Sequence, residues 1–376
     1  MNAEPYSVLV VDDSAMMRSL VGRIVESDPQ TRLAGKAMNG RFALQKLDTL
    51  KPEVIILDLE MPEMNGIEFL HERRKRGIDI PVVVLSSLAT KGAKVTMEAL
   101  ALGASDFVLK PSGSVSTDIH IVADQLLELV KSLGAEYRIR HGEPAARADT
   151  ATTTVPQARP AVRPAPRPEP VVPPIIQRPP IEPGPIDLVA LGISTGGPNA
   201  LRKVFALIPA DLPAPIVVVQ HMPAGFTTEF AKSLDRVCAM TVTEAQDGDR
   251  LEDGHAYIAP GDHHVTVTWS AGSGRLHVNQ DAPRNGHRPS ADVLFASVAE
   301  HYGNRALGVI MTGMGKDGAA ELGSILKKGG ITVGQDAGSS VVYGMPKVAW
   351  EMGHVQYQAS LPEMAEMITK LVSEHQ

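Results

Sequence analysis

Cysteine is almost missing from this chain: Cys238 is the only one in 376 residues. That excludes an internal disulfide framework and any thiolate-rich metal site. Long apolar runs are also missing, and none approaches the roughly 18 residues of a membrane-spanning helix. The opening Met1-Asn-Ala-Glu-Pro-Tyr has no basic stretch leading into an apolar core. No signal peptide is therefore expected, and the predicted location is cytoplasmic. Positive charge is not in excess either. With a net charge of −7 and a pI near 6.0, no global field invites nucleic acid or an anionic membrane, and neither is expected as a partner. The rest is ordinary for a soluble globular protein, with 43% hydrophobic and 21% charged residues. The length suits about two domains.

The division shows in the middle of the chain. Residues 151–185 hold 12 of the 29 prolines, interspersed with Arg159, Arg163, Arg167 and Arg178. Proline fixes φ and removes a backbone donor, so such a stretch builds neither helix nor sheet interior. A semi-rigid, polyproline-like tether is expected, with a Pro-x-x-Pro adaptor ligand as the sharper alternative. The predicted division is 1–134, a linker at 135–184, and 185–376.

Before the tether, apolar runs at Ser7–Val11, Val54–Leu57, Val82–Leu85 and Phe107–Leu109 read as strands buried on both faces, with a weaker one near Leu33–Ala37. Amphipathic segments alternate with them, which implies a five-stranded parallel sheet with helices on both sides. After the tether the alternation resumes at Ile186–Leu191, Ile216–Gln220 and Ala306–Ile310. Residues 241–278 are richer in β-type residues and turns, suggesting a small antiparallel excursion. Both halves are thus α/β, the second a doubly wound, mostly parallel sheet.

Asp12 and Asp13 follow the first predicted strand, Asp58 the third, and Lys110 the last. The carboxyl ends of parallel strands gather at one edge of a sheet, where ligands bind. Carboxylates brought together there repel one another unless a hard cation or a lysine neutralises them. Oxygen ligands of this kind suit Mg²⁺, which leaves room for a phosphoryl group, and one carboxylate could act as a nucleophile. Any single aspartate at a strand end is more commonly a cap or turn former.

In the second half, Gly192-Ile193-Ser194-Thr195-Gly196 has the form G-x-S-x-G, a strand-to-helix turn that exposes a serine hydroxyl near helix amides. A phosphate-binding glycine turn or a plain serine cap would look the same. A nucleophilic serine needs a base, and the base an orienting acid. His221 directly follows the strand Ile216–Gln220, and Asp317 lies in the Gly-rich loop after Ala306–Ile310. The order Ser194, Asp317, His354 would match an α/β-hydrolase, but His354 sits at the start of a possible strand, not at the end of one. Ser194, His221, Asp317 fits the sheet edge better.

Taken together, Asp12-Asp13, Asp58 before Met61-Pro62, Ser86 and Lys110-Pro111 resemble the receiver domain of two-component response regulators, with its flavodoxin-like sheet. The resemblance implies Asp58 as phosphoacceptor and Mg²⁺ held by Asp13, Asp58 and the backbone carbonyl of Glu60, with Asp12 in the acidic pocket. It also implies Ser86 as the switch hydroxyl and Lys110 as counter-charge. Phe107 stands where the family places a rotating aromatic, often tyrosine.

The second half resembles the chemotaxis protein-glutamate methylesterases. The resemblance is carried by Ser194-Thr-Gly-Gly, Gln220-His-Met-Pro223, Arg288-Pro-Ser-Ala-Asp-Val-Leu-Phe295 and Met311-Thr-Gly-Met-Gly-Lys-Asp-Gly318. It implies Ser194 as nucleophile, His221 as general base and acid, Asp317 as orienter, and the Met314 amide as an oxyanion donor. Arg284, His287 and Arg288 become candidates for contacting an acidic substrate helix. Lys316 fills a variable slot of the family loop, and the tether is unusually long and proline-rich.

The implied activity is hydrolysis of glutamyl methyl esters on chemoreceptors, releasing methanol, with deamidation of receptor glutamines by the same chemistry. A chemotaxis histidine kinase would supply the phosphoryl group. Mg²⁺ would serve the receiver, whereas ester hydrolysis would need no cofactor. Contact across the tether would keep the esterase covered until Asp58 is phosphorylated. Two other outputs would also suit a receiver, a DNA-binding module and a non-catalytic binding module. No helix-turn-helix with a basic surface is apparent after residue 185.

Overall fold

The computed structural model describes residues 4–88, 90–110, 118–142, 181–270 and 272–376. Most of the expected tether, residues 143–180, lies outside these. The first unit runs β1 (Tyr6–Val11), α1 (Ala15–Glu26), β2 (Thr31–Ala37), α2 (Gly40–Leu50), β3 (Val54–Asp58), α3 (Gly66–Lys75), β4 (Val82–Ser86), α4 (Thr90–Ala101), β5 (Asp106–Leu109) and α5 (Asp118–Arg140). Its five strands are parallel in the order β2-β1-β3-β4-β5. β1, β3 and β4 are buried along their whole length, as expected for strands covered on both faces. Polar caps start the helices: Ser14 accepts from the Met17 amide, Asn39 from Phe42, and Asn65 forms a capping box with Glu68.

The expected boundary at residue 134 falls inside α5, which continues to Arg140. The extra turn is tied down. The guanidinium of Arg138 donates to Glu53 and to the carbonyls of Glu4 and Pro5 and lies over the Tyr6 ring at 4.3 Å.

The second unit runs β6 (Leu188–Ile193), α6 (Gly197–Phe205), β7 (Ile216–Gln220), α7 (Phe226–Asp235), β8 (Thr241–Glu244), β9 (His255–Ile258), β10 (His264–Ser270), β11 (Ser273–Asn279), α8 (Ala291–His301), β12 (Ala306–Ile310), α9 (Ala319–Lys327), β13 (Ile331–Gln335), α10 (Met345–Glu351), β14 (Tyr357–Ala359) and α11 (Met364–Glu374). Seven strands form one sheet in the order β14-β13-β12-β6-β7-β9-β8, and every pairing in it is parallel. The antiparallel excursion exists but is smaller than residues 241–278 suggested. Among the described residues its strands are β10 and β11, with Arg250 bridging Arg275, because β8 and β9 join the main sheet. The chain enters this unit slightly before the expected 185, where Asn304 donates to the carbonyl of Glu182 at 3.0 Å.

The units pack on each other. α4 lies against α7, and one buried apolar cluster runs from Ala93, Met97 and Phe107 into Phe226 and Phe230. Among the described residues no helix is long and apolar enough to cross a membrane.

Candidate active site and phosphoacceptor site

Strand register assembles both clusters. In the first unit Val11 lies beside Leu57, Asp58 beside Leu85, and Ser86 beside Leu109. Asp12, Asp58, Ser86 and Lys110 therefore end neighbouring strands at one edge. The Lys110 ammonium lies 2.7 Å from Asp58 and 3.1 Å from Asp12. Asp58 also accepts from the Glu60 amide at 3.2 Å, and Asp12 from the Ser14 amide at 2.8 Å.

Burial pushes the Asp58 carboxyl above its ordinary range, with Lys110 opposing and Asp12 reinforcing the rise. Burial would pull Lys110 down, yet the two carboxylates hold it above its ordinary range. Carboxylate oxygens of Asp12, Asp13 and Asp58 lie within 4.8 Å of one another, and Asp13 is exposed while the other two are buried. An all-oxygen set with one open side fits a partly hydrated Mg²⁺.

Ser86 shares a 2.6 Å hydrogen bond with Thr96 on α4. The aromatic site residue lies elsewhere than a pocket-facing switch would suggest. Phe107 stacks on Phe226 of the second unit, with ring centroids 5.2 Å apart and 9° between planes.

In the second unit Ile193 pairs with Gln220, so Ser194 and His221 emerge side by side. β12 flanks β6 on its other side, making β6 the point where strand order reverses, and crevices form at such points. The Ser194 hydroxyl lies 3.1 Å from Nδ1 of His221, whose Nε2 lies 2.9 Å from Asp317. Nε2–H thus donates to the carboxylate, leaving the Nδ1 lone pair for the serine proton. The ring is used in the reverse sense to the trypsin-like template, where Nε2 faces serine.

Asp317 is 1% exposed and accepts three further bonds: from the Ser290 hydroxyl at 2.7 Å, the Ala291 amide at 2.6 Å and the Asn285 side chain at 2.8 Å. Burial alone would raise its pKa. The bond and charge of His221, with donation from Ser290 and Asn285, instead hold it well below the usual carboxylate range. The Arg288-Pro-Ser-Ala motif thereby acquires a function: its Ser290 and Ala291, at the N-terminus of α8, anchor the acid.

The serine turn is held by groups that sequence reasoning missed. Gln220 donates to the Ser194 carbonyl at 3.0 Å, and Thr312 to the Thr195 carbonyl at 2.9 Å. Gly196 adopts φ 79°, and a β-carbon there would lie 2.6 Å from that of Val341, so the turn admits only glycine. Gly313 packs on Ser194, with its would-be β-carbon 2.8 Å from that of the serine. Met314, the expected oxyanion residue, is the next residue along. His354 lies away from this cluster, its Nδ1 2.9 Å from the Ala319 carbonyl, which leaves it in a packing role.

The three expected substrate contacts differ from free cations. Arg284 pairs with Glu321 at 2.6 Å. Arg288 pairs with Asp262 at 2.6 Å and donates to the carbonyls of Gln280 and Asp281. His287 stacks on His221, with centroids 3.9 Å apart and 7° between planes. Burial, aided by the neighbouring His221, pushes the His287 pKa down to about 4, so it is neutral near pH 7. His287 and Arg288 do line the cleft beside Ser194, whose volume is about 310 Å³. Its other wall belongs to the first unit, with Asp106, Phe107, Leu109 and Gln125. Asp106 accepts from the Gly196 amide at 2.6 Å, and Asn199 donates to the carbonyls of Ala104 and Ser105 at 2.6 and 2.7 Å.

Fold and clusters together define the class, a response regulator whose output unit is built as a hydrolase. Residues 8–119 match the response regulator receiver domain, and residues 189–368 match CheB methylesterase. The chain belongs to the CheB methylesterase family. It is 52% identical over 367 residues to the protein-glutamate methylesterase/protein-glutamine glutaminase of Treponema denticola, covering 98% of both chains. It is 48% identical to the protein of the same name from Treponema pallidum, again covering 98% of both. The Pyrococcus horikoshii protein of that name is 41% identical, over 97% of this chain and 93% of its own.

Proposed function

We propose that the chain is a phosphorylation-activated protein-glutamate methylesterase, acting on methylated chemoreceptors in chemotaxis adaptation and also deamidating receptor glutamines. The observation that carries this reading is the Ser194–His221–Asp317 relay at one sheet edge. Ser194 Oγ attacks the γ-carbonyl carbon of the glutamyl ester while His221 Nδ1 takes its proton. The resulting imidazolium faces an ionised, four-fold satisfied Asp317, then returns the proton to the departing methoxide, giving methanol and an acyl-serine. Water, deprotonated by the same nitrogen, cleaves the acyl-serine and restores glutamate. An amide substrate follows the same steps with ammonia leaving. Gly313 against Ser194 supports an oxyanion position near the Met314 amide.

The receiver unit, extending through Arg140, takes a phosphoryl group on Asp58 from a histidine kinase. Asp12, Asp13 and Asp58, with the Glu60 carbonyl, would hold Mg²⁺, which when bound offsets phosphoryl and carboxylate charge. In the docked arrangement Asp106 and Phe107 wall the serine cleft, so docking opposes receptor entry. Ser86 is bonded to α4, and α4 packs on α7. A hydroxyl drawn toward a phosphoryl group on Asp58 would release Thr96 and loosen that contact.

The reading is tested by methanol release from methylated receptor membranes. Ser194→Ala is expected to lose at least about a thousandfold and to abolish labelling by a serine-directed phosphonate. Residual release near the native rate would leave a binding module instead of an enzyme.

A further inference from the structure

Arg284-Asn285-Gly286-His287 forms a tight turn beside the triad. The Arg284 amide donates to the His287 carbonyl at 3.1 Å, and the His287 amide returns a bond at 2.9 Å. Asn285 and Gly286 have φ of 54° and 79°, the left-handed pair of a type I′ turn, for which Asn-Gly is the favoured dipeptide. Each end of this turn grips a different member of the catalytic pair. The Asn285 side-chain NH₂ donates to Asp317 at 2.8 Å and to Asp292 at 2.6 Å. Two buried carboxylates thus share one donor group, and Asp292 is itself fixed by the Glu321 amide at 3.0 Å. At the other end the His287 ring lies flat on His221.

We propose that the Arg284–His287 turn is a positioning clamp for the general base, in which Asn285 locks the Asp317 carboxylate and His287 locks the plane of the His221 ring. The proposal rests on the esterase reading above and replaces the idea that this turn serves mainly as a cationic contact for substrate. Among the described residues the His221 ring makes two hydrogen bonds, to Ser194 and Asp317, and bonds in the ring plane oppose its tilting only weakly. A flat neighbour at 3.9 Å opposes that tilt from the side. A neutral ring does so without repelling the imidazolium that forms during acyl transfer. Asn285 suits its place on two counts: it tolerates left-handed backbone, and it offers two hydrogens where aspartate or glycine offers none. Neither residue needs to touch the ester. Both are positioning residues.

Asn285→Gly keeps the left-handed turn while deleting the double donor, so it separates positioning from folding. In the full-length chain it is expected to lower kcat for methanol release about 30-fold with KM within about twofold, because misplacement of reacting groups falls on the chemical step. The phosphonate labelling rate at Ser194, which involves no receptor, should fall by the same factor. His287→Ala should lose about tenfold in both rates, and His287→Phe, which restores a flat uncharged ring, should recover to within about threefold of the native rates. Thermal denaturation of each variant shows whether it is folded at the assay temperature. Native labelling rates in a folded Asn285→Gly chain would overturn the clamp, as would a rise in KM with unchanged kcat in either His287 variant. Loss of labelling in Asn285→Gly but not in Ser194→Ala would refute the esterase reading itself, so the two failures are distinguishable.

Discussion

Asp58 and Asp317 occupy equivalent places, each buried at the carboxyl edge of a parallel sheet, yet their protonation equilibria move in opposite directions. Asp58 is faced by one lysine and a second carboxylate, so desolvation prevails. Asp317 is surrounded by an imidazole, a hydroxyl, an amide of the α8 N-terminus and a side-chain amide, so donation prevails. The difference matches the role proposed for each. A carboxylate that awaits an electrophile is left with unspent charge, which a cation can complete. One that supports an imidazolium has every lone pair engaged and stays ionised throughout.

The sharpest way to break this comparison is to exchange each aspartate for asparagine. Asp317→Asn presents an NH₂ group to existing donors and favours the wrong histidine tautomer, so kcat should fall about 10⁴-fold. Asp58→Asn should abolish labelling of the receiver by a small phosphodonor with Mg²⁺, while phosphonate labelling of Ser194 stays native. If Asp317→Asn left turnover intact, the four-donor arrangement would be packing alone. Labelling that survived in Asp58→Asn would move the phosphoacceptor elsewhere.

A smaller effect is expected at the join between the two sites. Phe107→Ala removes an aromatic stack worth about 1 kcal/mol, so basal methanol release by the unphosphorylated chain should rise about fivefold. An unchanged basal rate would mean that Phe107 does not hold the cleft closed.

The smallest predicted change concerns Asp106, whose carboxyl is pushed up to about 6 by burial, with the Gly196 and Phe107 amides opposing the rise. A raised value means that the buried, docked state binds the proton more tightly than an open one. Docking is therefore strongest below the ordinary carboxyl range and weakens as pH rises through about 6. Small-angle scattering of the full chain between pH 4.5 and 8 should show progressive separation of the units. Asp106→Asn should flatten that dependence, and an equally steep curve in the variant would assign it to another group.

Much of this was legible in the chain itself. Apolar runs ending in Asp12, Asp58, Ser194 and His221 are readable because strands buried on both faces leave no polar residue until they emerge. The boundary at 134 misses the end of α5 because its last turn is held by Arg138 bonding to Glu53 and Glu4, 85 and 134 residues away in sequence. β8 and β9 read as part of an antiparallel region because short β-type segments look alike whichever partner they pair with. Asn285-Gly286 is visible as a turn dipeptide, but nothing local shows that its amide ends on Asp317.

By itself the sequence determined the two α/β units and the residue types at each sheet edge, since these follow from short-range periodicity and from chemistry that few residues can perform. Tertiary structure alone decided which nitrogen of His221 faces serine, which donors keep Asp317 ionised, and that His287 sits neutral on the base. It also decided that Phe107 and Asp106 wall the serine cleft. Each of these depends on distances between segments far apart in the chain, and hydrogen bonds and desolvation act only once those distances are set.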